Sequence, residues 1–302
     1  MTAPTENYFV TFDGLRLFYR DFSGRDFSRQ PHGTNTTTTA TTRTVLCLHG
    51  LTRNSRDFIE LAQHLQSSDY RVLALDARGR GRSEYDNHWQ NYHPGTYVLD
   101  VLALLRELKI ERIAIIGTSL GALMAMLLSA QHPQFIAGVV LNDAGPEIDP
   151  RGLLRIAQYA GKQPVIGDWR DAAEYVKSIY GEALWGLSDD DWLAYAKLSY
   201  RENDAGIPVP DCDPNIGAAF RNASTAPQNL WPVFAQMRAT PTLVIRGEHS
   251  DILSAATVQR MAREKPDLQY IAVPNRGHAP LLNEPECIAA IDRFLAELNF
   301  GP

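Results

Sequence analysis

Residues Arg112 to Ser129 read RIAIIGTSLGALMAMLLS. The run opens on Arg112 to Ile116, a short apolar stretch of the kind buried in a parallel sheet, and closes on Ala122 to Ser129, whose apolar residues suit a covered helix. Between them stands Gly117-Thr118-Ser119-Leu120-Gly121. A serine at so sharp a strand-to-helix turn takes backbone angles that L-residues seldom adopt. Glycines two before and two after it let the neighbouring backbones close in without a Cβ between them. The turn also sets the Ser119 hydroxyl at the head of a helix, where the positive end of the dipole favours developing negative charge.

The same punctuation extends in both directions. Val45 to Leu48, Arg71 to Leu75, Ala137 to Leu141, Thr242 to Arg246 and Tyr270 to Val273 read as strands. Phe58 to Leu65, Tyr97 to Leu108 and Glu284 to Leu298 read as helices. Alternating β and α with near-continuous apolar strands predicts an open α/β architecture with helices on both faces of a mostly parallel sheet. Tyr8 to Asp21 alternates around Asp13-Gly14 and predicts an antiparallel hairpin at the start. Residues 23–43 end in a Thr-rich run without apolar periodicity and predict a flexible surface loop. From about Pro146 to Met237 strand signals disappear, and helical segments bearing Trp and Tyr take over, such as Ala172 to Tyr180 and Asp189 to Tyr200. The expected organisation is therefore a core over 1–145, a helical cap over 146–237 and a second core part over 238–302. A cap launched from a strand's carboxyl end roofs the place where open α/β sheets bind ligands.

Composition narrows the partners. A chain of 302 residues with 44% hydrophobic content supports a sizeable core, and its net charge of -6 is spread without a Lys/Arg block. Nucleic acid is not an expected partner. Without an apolar leader or a long apolar run, neither is a membrane, and a cytoplasmic location is expected. Cys47, Cys212 and Cys287 are far apart and lack ligand spacing, which predicts reduced thiols and no metal site.

A serine hydroxyl becomes nucleophilic when a base takes its proton. The best-placed base is His278, in the Gly/Pro-rich loop Asn275 to Pro280 after the last strand. An acid is then needed to hold the imidazole tautomer. Asp251, in the loop after Thr242 to Ile245, is the first choice, and Asp143, after the strand ending at Leu141, is the alternative. Two backbone amides are expected to receive an oxyanion: Leu120, after the serine, and Leu51, after His49-Gly50. His49 itself shapes that loop. Arg53 and Asn54, just beyond, are candidates for a substrate carboxylate or polar group, or else for capping the next helix. Trp185 and Trp192 are candidates for an aromatic substrate wall together with Tyr175, Tyr180, Tyr195 and Trp231, and each suits the cap's own core equally well. The glycines of Asp76 to Ser83 lack the third glycine that opens a nucleotide-binding helix, so a structural turn fixed by Asp76 and Ser83 is expected.

With Leu48-His49-Gly50, Asp76 to Ser83, Gly117 to Gly121 and the late Asp251 and His278 in this order, the chain resembles the α/β-hydrolase superfamily, in its esterase, lactonase and carbon-carbon hydrolase branch. The resemblance spans nearly the whole chain and implies eight central strands with a cap after the sixth. It also implies an acyl-enzyme mechanism without cofactor on a small-molecule ester or lactone. Ring-fission carbon-carbon cleavage, acyl transfer and a non-catalytic ligand-binding protein on the same fold are the alternatives. A homodimer is the one protein partner left open. The aspartate nucleophile of dehalogenases and epoxide hydrolases is replaced here by Ser119.

Overall fold

A computed structural model of the chain describes residues 3–23, 42–223 and 229–301. Residues 24–41 of the expected Thr-rich loop lie outside that range. Strands β1 (Thr5–Val10) and β2 (Arg16–Phe22) form the predicted hairpin, turning at Gly14 with φ of 86°. They are followed by β3 (Thr44–Leu48), β4 (Arg71–Leu75), β5 (Ile113–Thr118) and β6 (Ile136–Asn142). Helices α1 (Ile59–Ser67), α2 (Pro94–Glu107) and α3 (Leu120–Gln131) connect them.

After β6 the chain leaves the sheet. It forms helices α4 (Pro150–Tyr159), α5 (Trp169–Tyr180) and α6 (Asp189–Ser199), then a short antiparallel pair β7 (Tyr200–Glu202) and β8 (Pro208–Pro210). Helices α7 (Asn215–Ala223) and α8 (Trp231–Gln236) follow. The chain returns as β9 (Thr242–Gly247), α9 (Ala255–Glu264), β10 (Gln269–Val273) and α10 (Pro285–Ala296).

The main sheet has eight strands in the order β1-β2-β4-β3-β5-β6-β9-β10. From β4 to β10 every neighbouring pair is parallel, and only the pairs made by β2 are antiparallel. Helices cover both faces. Val101, Leu104, Leu128 and Phe234 belong to the apolar cluster on one side, and Leu61, Leu65, Ile291 and Phe294 to that on the other. Side chains of this size contribute about 1.5–3 kcal/mol each when fully buried. The parallel strands carry residues buried on both faces, so they read as continuous apolar runs rather than as alternation.

The insertion after β6 has its own core, in which Trp192, Ala172, Val176 and Leu184 meet. Two details differ from the sequence reading. The β7–β8 pair is too short and too proline-rich to signal a strand. Helix α8 packs its Trp231 and Phe234 into the main core rather than into the insertion, because its apolar face meets α3. Among the described residues no helix is long and apolar enough to cross a membrane. The three cysteines are free and buried.

Candidate active site

Ser119 lies between β5 and α3 with φ of 54° and ψ of -112°. The turn leaves no room for side chains at its flanks. A Cβ on Gly117 would come within 2.3 Å of the Gly121 carbonyl oxygen, and one on Gly121 within 2.0 Å of that of Leu48. The glycine spacing is thus a packing requirement. The Ser119 amide donates to the Asn142 carbonyl at 2.9 Å. The Asn142 side chain donates to Thr118 Oγ1 and to the Pro280 carbonyl, joining the serine turn to the histidine loop.

His278 comes from the loop after β10, as expected. Its Nε2 is 2.9 Å from Ser119 Oγ, and its Nδ1 is 2.8 Å from Asp143 Oδ2. A carboxylate oxygen accepts from Nδ1–H, which leaves Nε2 to accept the serine proton. The loop is held to the insertion where the Gly277 amide donates to the Ala183 carbonyl and Arg276 donates to the Trp185 carbonyl.

The sequence points to Asp251 as the acid facing His278, and the structure differs: the carboxylate in contact is that of Asp143, the alternative. Asp143 sits one residue past β6 with φ of 57°, and its side chain is fully buried. Besides His278, it accepts from the Gly247 amide at 2.9 Å and the Ser250 hydroxyl at 2.6 Å. Asp251 instead takes both oxygens to Arg155 of α4, at 2.6 and 2.8 Å. Burial raises the Asp251 carboxyl, and the Arg155 guanidinium outweighs that, holding it below its usual range.

The loop after β3 runs against the serine. His49 is buried and its Nε2 accepts from the Ala77 amide at 3.0 Å, so Nδ1 carries the proton and donates to the Gly50 carbonyl at 2.7 Å. Burial, with the Arg80 charge behind it, pulls His49 down to about 3, so the ring is a neutral strut. Among the described residues the amides of Leu51 and Leu120 donate to no other group. A residue absent from the sequence reading supports this loop: Arg80 donates from Nε to the Leu51 carbonyl at 2.9 Å and from Nη1 to Tyr97. Its place between two glycines was the available signal. As expected, Asp76 and Ser83 fix the turn around it. Asp76 accepts from the Ser55 and Arg82 amides, and Ser83 donates to the Asp76 carbonyl.

Ser119 and His278 open onto a cavity of about 330 Å³ between sheet and insertion. Arg53, Phe58, Tyr159, Tyr180 and Tyr195 are among its walls. Tyr180 and Tyr195 therefore stand where an aromatic wall was expected, and Tyr159 was missed. Three other candidates are elsewhere. Asn54 donates to the Leu198 carbonyl and to Asp211 and caps the turn before α1, so its amide is spent on joining core to insertion. Trp192 is in the insertion's core, and Trp185 stacks on His249 at the surface with centroids 4.4 Å apart. Tyr175 and Trp231 also lie outside the cavity wall.

Comparison with known proteins places the fold. The profile of the alpha/beta hydrolase fold family matches residues 43–188. The chain is 31% identical over 271 residues to a 3-hydroxybutyrate-oligomer hydrolase of Cupriavidus necator, covering 84% of this chain and 89% of that protein. It is 29% identical to a 2-(acetamidomethylene)succinate hydrolase of Mesorhizobium japonicum, covering 83% and 87%. Among solved structures, an alpha/beta hydrolase of Novosphingobium aromaticivorans superposes with a TM-score of 0.88 at 41% identity, covering 98% of this chain and 99% of that one.

Proposed function

The chain belongs to the alpha/beta hydrolase fold family, and we propose that it is a serine hydrolase that cleaves an ester or lactone of small to medium size with Ser119 as nucleophile, His278 as base and Asp143 as orienting acid. The observation that carries the reading is the unbroken line from Ser119 Oγ to His278 Nε2 and from Nδ1 to Asp143, at 2.9 and 2.8 Å, facing one cavity.

Ser119 Oγ attacks the carbonyl carbon while its proton passes to His278 Nε2. The Leu51 and Leu120 amides receive the oxyanion, and donors of this kind contribute roughly 3–4 kcal/mol each to the transition state. Asp143 stabilises the imidazolium through Nδ1–H. His278 returns the proton to the leaving oxygen, giving an acyl-enzyme. A water then gives up its proton to His278 and attacks the acyl carbon. The bond to Ser119 Oγ breaks as His278 returns that proton to it, and the acid is released with the serine hydroxyl restored. The histidine-insertion contacts at Ala183 and Trp185 support a cap role for the insertion, as does the tyrosine wall it contributes. A relative that hydrolyses oligomers of a hydroxy acid supports ester chemistry.

The test is labelling with a fluorophosphonate probe, together with turnover of short aryl esters and lactones, in wild type and Ser119→Ala. We expect labelling to vanish and turnover to fall about 10⁶-fold. Labelling that persists in the variant would remove Ser119 from the chemistry. Product analysis on a substrate offering both an ester and a ketone-adjacent carbon-carbon bond separates ester cleavage from the carbon-carbon alternative.

A further inference from the structure

We propose that Arg53 is the recognition point for a carboxylate carried by the substrate a few bonds from the scissile carbonyl. The inference rests on the hydrolase reading above and names the class of substrate for that site.

Arg53 and Ser119 flank the same small gap. A Cβ placed on Gly50 would lie 3.4 Å from Arg53 Cγ and 3.8 Å from Ser119 Cβ, so those two atoms are at most about 7 Å apart. Both residues line the same cavity, Arg53 also borders a smaller pocket beside Ser199, and Arg53 is only 8% exposed. Its guanidinium is held before any substrate arrives. Nε and Nη2 donate to the two carboxylate oxygens of Asp57 at 2.8 and 2.5 Å, and Nη1 donates to Ser199 Oγ. The group also lies over the Tyr195 ring at 4.2 Å from its centroid. Burial opposes the Arg53 charge, and Asp57 more than restores it.

A guanidinium has five N–H donors. Among the described residues three are engaged, and the remaining two sit on the terminal nitrogens Nη1 and Nη2. A buried donor without an acceptor is costly, and two donors on one planar fork match two oxygens of a carboxylate better than a single neutral oxygen. The other charges along the cavity do not cancel this preference. Arg56 is paired with Asp211 at 2.6 Å. Glu60 and Asp191 are exposed at the cavity rim, where solvent and salt screen them. Asp57 offsets the Arg53 charge in part, so the selectivity arises from fork geometry more than from net charge.

The test compares an aryl ester of glutaric acid whose second carboxyl is free with the same ester methylated there. In wild type we expect kcat/KM to favour the free acid by about tenfold or more, mainly through KM, the size of one charge-assisted hydrogen bond. In Arg53→Gln the ratio should fall to about one, and in Arg53→Lys, which keeps a point charge without the fork, it should lie between. A wild-type ratio of one or below, or an Arg53→Gln ratio equal to that of wild type, overturns the proposal.

Should Arg53→Gln fail to fold, wild type decides alone. Glutarate should protect it from fluorophosphonate labelling at about tenfold lower concentration than glutaramide, and equal protection overturns the proposal. Should wild type neither label nor turn over, the hydrolase reading fails by itself. Calorimetric titration of wild type with glutarate and with glutaramide then judges the carboxylate site: tighter glutarate binding supports it, and equal or absent binding overturns it.

Discussion

Two loops at the carboxyl edge of the sheet each bring one aspartate toward the histidine, and the structure uses them in opposite ways. The loop after β6 turns Asp143 inward through a left-handed backbone with φ of 57°, and that side chain is fully buried among three donors. The loop after β9 carries Asp251 but contributes Ser250, which with the amide of Gly247 at the end of β9 holds Asp143. Its own aspartate points to α4 and pairs with Arg155. Adjacent residues, Ser250 and Asp251, thus serve the site and the insertion respectively. Strand-end position alone does not assign the acid; the assignment follows from which carboxylate finds donors inside and which finds a cation outside.

The sharpest way to break this comparison is to neutralise each acid in turn. Asp143→Asn should lower kcat about 10⁴-fold, the size of effect seen when an orienting aspartate is replaced by its amide. Asp251→Asn should cost less than about tenfold, since it removes a contact to the insertion and none to the histidine. The reverse order, with both variants folded by circular dichroism, would return the role to Asp251.

The next effect in size belongs to the clamp. Ser250→Ala removes the 2.6 Å bond to Asp143 Oδ2 without touching Ser119 or His278. A hydrogen bond to a charged group is worth about 1.5–3 kcal/mol, so kcat should drop about 10- to 100-fold. Fluorophosphonate labelling should slow in step with it. Unchanged kinetics would show that the Gly247 amide and His278 suffice to hold Asp143.

The same contrast explains what was legible in the sequence. The elbow was legible because its glycines answer a local demand: a Cβ on either one would strike backbone four residues or a strand away. His278 was legible because a Gly/Pro loop after the last strand has few other uses. The mostly parallel sheet and the antiparallel hairpin followed from apolar runs and Asp13-Gly14. The acid was harder, because Arg155, which draws Asp251 away, lies 96 residues earlier on a helix of the insertion. The one local sign for Asp143 is that Asp tolerates left-handed backbone better than most residues. Trp192 and Asn54 were ambiguous for a related reason. A helical tryptophan and a capping asparagine suit a cavity as well as an interface, and only their partners, Val176 in one case and Asp211 157 residues away in the other, decide.

The smallest effect is the one at Asp251 itself. Its pair with Arg155 is partly exposed, with side chains at 31% and 24%, so a double-mutant cycle of Asp251→Asn and Arg155→Gln should give a coupling near 1 kcal/mol, read by urea unfolding. The pH dependence has a definite sign. The folded carboxyl is held below its ordinary value of 3.8, so the unfolded chain binds a proton first as pH falls. The stability from this pair is therefore fully present above that value, and it is lost as pH falls through the lower folded value. The stability difference between wild type and Asp251→Asn should be flat from neutral pH to about 5 and shrink only under stronger acid. A difference that already changes near neutral pH would mean that Asp251 senses the protonation of His278, and the division of labour between the two loops would be incomplete.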